Sequence, residues 1–345
     1  MIDARRLASA LRLGACGGAL LVALPVLADE EARQLLTDMT AAVASSTYQG
    51  EFVHMADGRV EKLSIVHRVK DGHVSERLVS LSGNGREVVR NDTEVQCYLP
   101  DERRVLVESH AEHGSLLGPL PSGAEKLEAS YRLEVAGRGR SVIGRPSTIL
   151  AVIPRDGYRF GYRVWIDEAT HMPIRTELCD AQGAVLEQVL FTSLKVGGTL
   201  PDSAFRPSLP AEGYTWVRQT AGALHGPAGE SPWRLVQLPP GFRMSSSGVE
   251  LMPGNAGPVM HLVLSDGLAS VSVFIEGPPS APRRAVDGQG RVGSAFAYSK
   301  VLGDHQVTAV GEVPPDTVQF IANSVAPALP AKVMFGGAPA GPARP

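Results

Sequence analysis

The chain has 345 residues, 43% of them apolar and 20% charged, with a formal net charge of -3; this fits a folded protein of about two domains. A collagen, a wholly disordered chain and a multi-span membrane protein are excluded, and without a basic excess nucleic acid is not an expected ligand. Thirty-seven glycines and twenty-six prolines make roughly 18% of the chain against an average of roughly 12%, so turns, and therefore strands, should dominate.

At the N-terminus, Arg5, Arg6 and Arg12 precede an apolar run from Leu13 to Leu24, and Val26-Leu27-Ala28 supplies a small-residue cleavage pattern before Asp29. This reads as an export signal over residues 1–28. It is short for a bilayer core of about 30 Å. Leu13-Gly14-Ala15-Cys16 resembles a lipoprotein box only loosely, because almost no hydrophobic stretch precedes it. No later run approaches a membrane span, so the mature chain is expected to be exported and not membrane-spanning. An oxidising compartment permits a bridge between Cys97 and Cys179. Side-chain parity argues partly against it: Cys97 alternates in step with Val95 and Leu99, whereas Cys179 is out of step with Ile174, Thr176 and Leu178. Two buried thiols are the alternative.

Residues 30–46 place Ala32, Leu35, Leu36, Met39, Ala42 and Val43 on one helical stripe. The period then changes to two. Leu63, Ile65, His67 and Val69 alternate, as do Val95, Cys97 and Leu99, then Val105 and Val107. The clearest run is Tyr158, Phe160, Tyr162, Val164 and Ile166, with Arg159 and Arg163 on the other face. Asp71-Gly72, Gly83-Asn84-Gly85, Pro100-Asp101, Asp156-Gly157 and Asp180 to Gly183 punctuate these runs as turns. The pattern predicts an antiparallel meander, curved or partly closed, over residues 29–205, with a second short helix over Pro121 to Ser130. Residues 206–230, rich in proline and glycine, read as a linker. Residues 231–325 read as a small sheet plus helix: a strand at Trp233 to Leu238, a hairpin across Ser265-Asp266-Gly267, another around Gly303-Asp304, and a helix after Pro314-Pro315-Asp316. The last residues, 326–345, have little to pack and read as disordered. The fold class is α+β.

Catalytic patterns fail on context. His110-Ala111-Glu112-His113 lacks the further ligands that zinc needs. His261, Ser265 and Asp266 sit around a hairpin tip, which is not the elbow that exposes a nucleophile. Gly137-Arg138-Gly139 precedes a strand rather than opening a helix, so it is a turn and not a dinucleotide fingerprint. No metal, cofactor or enzymatic activity is expected. A cavity between sheet and helices remains, with Leu63, Ile65, Val95, Leu99, Val107, Phe160, Tyr162 and Val164 as its candidate lining; an ordinary packed core is the plainer alternative.

Several stretches, in order, resemble the MucB/RseB family of periplasmic regulators of the envelope-stress sigma factor. They are Tyr48-Gln49-Gly50-Glu51-Phe52-Val53, Gly85-Arg86-Glu87-Val88-Val89-Arg90, Cys97-Tyr98-Leu99-Pro100-Asp101, and Asp156-Gly157-Tyr158-Arg159-Phe160-Gly161-Tyr162-Arg163. The second domain adds Leu238-Pro239-Pro240-Gly241-Phe242, His261 to Glu276, and Val307 to Pro314. The resemblance implies a periplasmic location and a half-barrel similar to the lipoprotein carriers LolA and LolB, followed by a smaller α+β domain. It also implies binding to the periplasmic domain of an anti-sigma factor of the MucA/RseA type, protection of that partner from regulated proteolysis, and release on binding a lipid or lipopolysaccharide-type ligand. The alternating hairpin Ser265, Asp266, Gly267, Leu268, Ser270, Ser272 and Phe274 is the expected partner surface. A lipid or lipoprotein carrier is the alternative function; it would leave the second domain without a role.

Overall fold

The computed structural model describes residues 24–83, 85–109, 116–117, 120–121, 123–219, 232–250, 257–277 and 287–328. The export signal up to residue 23, the His110–His113 cluster and the tail from 329 lie outside them; the start of the tail read as disordered from 326 is instead ordered, with Ala326 and Pro327 paired to Arg234 and Trp233. Helix α1 (Leu24–Ser45) leads into β1 (Tyr48–Ala56), β2 (Arg59–Lys70), β3 (His73–Ser80), β4 (Glu87–Asn91), β5 (Glu94–Leu99) and β6 (Arg104–Ser109). After the single turn α2 (Ala124–Leu127) come β7 (Tyr131–Arg140), β8 (Pro146–Pro154), β9 (Gly161–Asp167), β10 (Pro173–Cys179), β11 (Val185–Val196) and β12 (Thr215–Gln219). All twelve strands form one sheet, in the order β12-β6-β5-β4-β3-β2-β1-β11-β10-β9-β8-β7. It consists of two meanders joined where β1 pairs with β11. Its end strands do not meet, so the barrel is a half-barrel. Asp57-Gly58 and Asp71-Gly72 turn two of its hairpins with positive φ at both residues, a conformation whose twist suits two-residue hairpins and which Asp-Gly tolerates.

The second domain holds β13 (Trp233–Leu235), β14 (Arg243–Glu250), β15 (Val259–Ser265), β16 (Ser270–Glu276), β17 (Gly288–Val292), β18 (Ala295–Leu302), β19 (His305–Gly311), α3 (Pro315–Ser324) and β20 (Val325–Pro327). Six of these strands make a sheet in the order β14-β15-β16-β19-β18-β17, while β13 pairs with β20. Proline opens α3 without loss, since a first-turn N–H has no helical partner. Val318, Ile321 and Ala322 of that helix pack on Leu262, Leu264, Val271, Val273, Ile275, Val307 and Ala309 of the sheet.

Four expectations change. The helix predicted over 121–130 is only the one-turn α2. The run from Tyr158 becomes a strand only at Gly161, after a bend that turns Tyr158 toward Phe320 while Phe160 stays in the core with Tyr162 and Val164. The stretch 206–230 is not simply a linker: Leu209, Ala211 and Tyr214 pack on Tyr98, Val105 and Val107, and β12 adds to β6 in parallel. Finally, Cys97 and Cys179 are free thiols, so the bridge is absent. They lie on β5 and β10, with five strands between them. Burial raises both thiol pKa values, which keeps them protonated and slow to oxidise.

Candidate functional site

Strand register decides which predicted lining residues share a face. Ile65 lies opposite Leu78, which lies opposite Val88, which lies opposite Cys97. Following the ladder in both directions puts Leu63, Ile65, His67, Val95 and Leu99 on the concave face together with Tyr162 and Val164. Val107 pairs with Gln96, so it points to the opposite, convex face and leaves the list. The concave face is one surface but not one cavity. Phe160, Tyr162 and Val164 are packed with Ala32, Leu36 and Met39 of α1, and Leu63 and Ile65 with Val43, Tyr48, Phe191 and Leu117. The void beside Ile174 and Phe191 measures about 10 Å³, room for about one water. Beyond the reach of α1, Val88, Val95, Cys97, Leu99 and Leu106 are only half-buried. Beside Leu99 a cleft of about 670 Å³ is lined by Arg59, Glu61, Arg86, Asp101 and Glu102.

Charge is buried within this apolar face. Glu76 pairs with Arg90 at 2.8 Å, and His67 lies 3.6 Å from the same carboxylate. The His67 ring stacks on Tyr48 at 4.6 Å, and its Nδ1–H donates to the carbonyl of Ser46 at 2.8 Å. Burial pushes the Glu76 pKa up and the His67 pKa down, so both neutral forms are favoured over their solvated balance.

The expected partner hairpin divides in two. Gly267 and Ser270 are exposed, and Ser265, Ser272 and Phe274 are half-buried, but Asp266 and Leu268 are buried. Asp266 accepts the N–H groups of Leu268 and Ala269 at 2.9 and 2.8 Å through one oxygen, closing an Asx turn. Its other oxygen crosses to the half-barrel, where the Tyr131 hydroxyl donates at 3.0 Å and Arg159 pairs at 3.0 Å. Leu268 joins the core under α1. These two residues are therefore not surface, as the hairpin reading expected; they clamp the two domains together.

The seam around them is extensive. Arg159 also donates to the carbonyl of Pro240 at 2.5 Å and lies over the rings of Tyr131 and Phe242. Gly241 has φ +83, and a Cβ there would sit 2.4 Å from Ser130 Oγ, so the Pro239-Pro240-Gly241 turn needs glycine twice over. Phe160 meets Phe296, Tyr158 meets Phe320, and Thr317 donates to the Tyr158 carbonyl at 3.0 Å. The bend that delayed β9 thus delivers Tyr158, Arg159 and Phe160 to the second domain. Sequence reading placed Arg159 on the face opposite Tyr158 and Phe160; periodicity carries no signal for a contact between domains.

On the far side of the second sheet, His261 bonds Glu250 through Nδ1 at 2.8 Å and Ser272 through Nε2 at 3.0 Å, while Phe274 stacks on its ring at 4.5 Å. The order acid–imidazole–hydroxyl matches a hydrolytic relay. However, Ser272 lies on β16, which is paired on both sides by β15 and β19. Its neighbouring N–H groups serve the ladder rather than an oxyanion, the larger part of such catalysis. What this face offers is hydrogen bonding beside an aromatic ring.

Comparison with known proteins matches both halves of this architecture. The MucB/RseB N-terminal domain model matches residues 31–209, and the MucB/RseB C-terminal domain model matches residues 227–326. The sigma factor AlgU regulatory protein MucB of Pseudomonas aeruginosa is 34% identical over 89% of this chain and 94% of its own. The sigma-E factor regulatory protein RseB of Salmonella typhimurium is 30% identical over 86% of this chain and 91% of its own. Among solved structures, the complex of Pseudomonas aeruginosa MucA/MucB covers 87% of this chain and 100% of the matched one, at 31% identity and a TM-score of 0.69. A half-barrel, a second α+β domain and the seam between them are thus what the matched stretches build, and the chain belongs to the MucB/RseB family.

Proposed function

We propose that this chain is an exported, periplasmic regulator without catalytic activity that binds the periplasmic part of a membrane anti-sigma factor. It shields that partner from regulated proteolysis and releases it when a lipid-type ligand binds. The observation that carries the reading is the family match across both domains, with a 31% identical relative solved in complex with MucA. The partner surface is the outward face of the hairpin: Ser265, Gly267, Ser270, Ser272 and Phe274, flanked by His261 and Glu250. Asp266 and Leu268 act on it indirectly, by fixing how the hairpin is presented.

The lipid ligand takes the open end of the concave face. Acyl chains lie on Val88, Val95, Leu99 and Leu106, beside a cleft that carries Arg59 and Arg86 together with Glu61, Asp101 and Glu102. Leu63, Ile65, Phe160, Tyr162 and Val164 form the packed floor beyond. Release follows from linkage: lipid expels the partner only insofar as it binds the free form more tightly than the complex.

The test incubates the purified mature chain with the periplasmic segment of its anti-sigma factor and the protease that cuts it. Protection that lipopolysaccharide abolishes supports the reading, and Ser272→Arg should weaken that protection while thermal stability holds. Absence of protection sinks it. Transfer of lipid between vesicles without protection would instead favour a carrier, a role to which the open concave face alone would be suited.

A further inference from the structure

The seam contains a second polar cluster, apart from Asp266 and Arg159. Glu187 on β11 faces inward from the half-barrel, and Glu312, directly after β19, reaches it from the second domain. Their side chains are hydrogen-bonded to one another. Two carboxylates cannot share a hydrogen bond unless one of them holds a proton. Ser294, buried in the turn between β17 and β18, donates to Glu312 at 2.6 Å, and His54 of β1 contacts Glu187 at 2.9 Å. The other titratable groups facing the cluster are Glu61 near His54, and Tyr162 near the carboxyl pair.

We propose that the Glu187–Glu312 pair makes the docking of the two domains proton-linked, tight in mild acid and weaker as pH rises. This goes beyond the proposed function and does not depend on the identity of partner or ligand. Burial, foremost, holds the Glu312 pKa above its ordinary value of 4.5, and the neighbouring Glu187 charge adds to it. Burial opposes the Glu187 charge, but the bonds from His54 and Ser294 outweigh it and hold that pKa down. The proton therefore resides on Glu312. A carboxyl whose pKa is higher docked than undocked favours docking below its ordinary value and loses that contribution as pH climbs through the docked value. His54 is raised first by its bond to Glu187, a partner on the adjacent strand of the same domain, so its titration belongs to the half-barrel and not to the docking. Glu187, held down, acts in the opposite sense.

Hydrogen exchange of the full mature chain tests this at the seam peptide spanning 265–270, read as protection factors so that intrinsic rates cancel. Protection should fall steadily from pH 5.5 to pH 8, tenfold for each pK unit by which docking raises the Glu312 carboxyl above pH 5.5, while peptides in β8 stay level. Glu312→Gln, which keeps a hydrogen-bonding amide but no titration, should hold the pH 5.5 level within about threefold across the range. Should that variant fail a near-ultraviolet check of folding, Glu187→Gln replaces it, with the same flattening expected. A level wild-type profile overturns the proposal. So does a Glu312→Gln profile as steep as the wild type, or a slope that His54→Gln alone removes.

Discussion

The two ends of the concave face are built from the same alternating pattern and have opposite fates. Toward β7, β8 and β9 the inward side chains Leu133, Leu150, Val152, Val164 and Ile166 are sealed by Ala32, Leu36 and Met39 of α1. Toward β4, β5 and β6 the inward Val88, Val95, Leu99 and Leu106 remain half-buried. Alternation therefore announces an apolar face and says nothing about its cover. The covered end supplies rigidity and the clamp for the second domain; the open end supplies a surface that a ligand can complete.

Mutations should separate the two ends, with the clamp the most sensitive point. Asp266→Ala leaves Arg159 buried without its partner and should cost about 3–5 kcal/mol, read by denaturant midpoint. A loss under about 1 kcal/mol would show that the seam opens readily and waters the charge. Leu150→Ala, in the sealed end, should cost about 2–5 kcal/mol. Leu99→Ala, in the open end, should cost well under half as much and instead weaken lipid binding; equal stability losses would erase the distinction.

The ends should also differ in pH response. His67 is held below its ordinary 6.5 by burial, so it opposes protonation in the folded state. Its contribution to stability is present above pH 6.5 and is lost as pH falls toward its depressed value. Comparing wild type with His67→Gln between pH 7.5 and 6 should show a shallower acid loss in the variant, whereas the Glu187–Glu312 seam gains in the same interval. The smallest effect concerns the thiols. Both should titrate in denaturant without reductant, and in the folded chain Cys97 should react with a thiol reagent before the more buried Cys179. A mass gain of two hydrogens on reduction would restore the bridge.

Much of the half-barrel was legible because its strands are half-buried and its turns are Asp-Gly or glycine-rich; Asp71-Gly72 and the later part of the 158–166 run announced themselves. The second hairpin and α3 were legible for the same reason. Strand β14 was not, since Met244-Ser245-Ser246-Ser247 offers almost no alternation; it is held by pairing with β15. Strand β12 was hidden by the prolines before it, because an edge strand needs only one neighbour's hydrogen bonds. Asp266 misled because Asp-Gly denotes an exposed turn. One of its oxygens does make that turn, but the other is engaged across the seam. Arg159, Leu238 to Phe242 and Glu312, quoted for their family likeness, lie at or beside the seam, a contact that neither the resemblance nor local physics had located.

Strand β12 has one more consequence. It fastens the chain to β6, at the opposite edge of the sheet from β7, and the second domain resumes at Trp233, fourteen residues after Gln219. At roughly 3.3–3.6 Å per residue such a leash reaches about 50 Å at most. An undocked second domain would thus stay within that radius, at an effective concentration on the order of millimolar. Opening and closing of the molecule would then be unimolecular and indifferent to protein concentration, and a partner wedged between the domains would compete with a tethered rival rather than a free one.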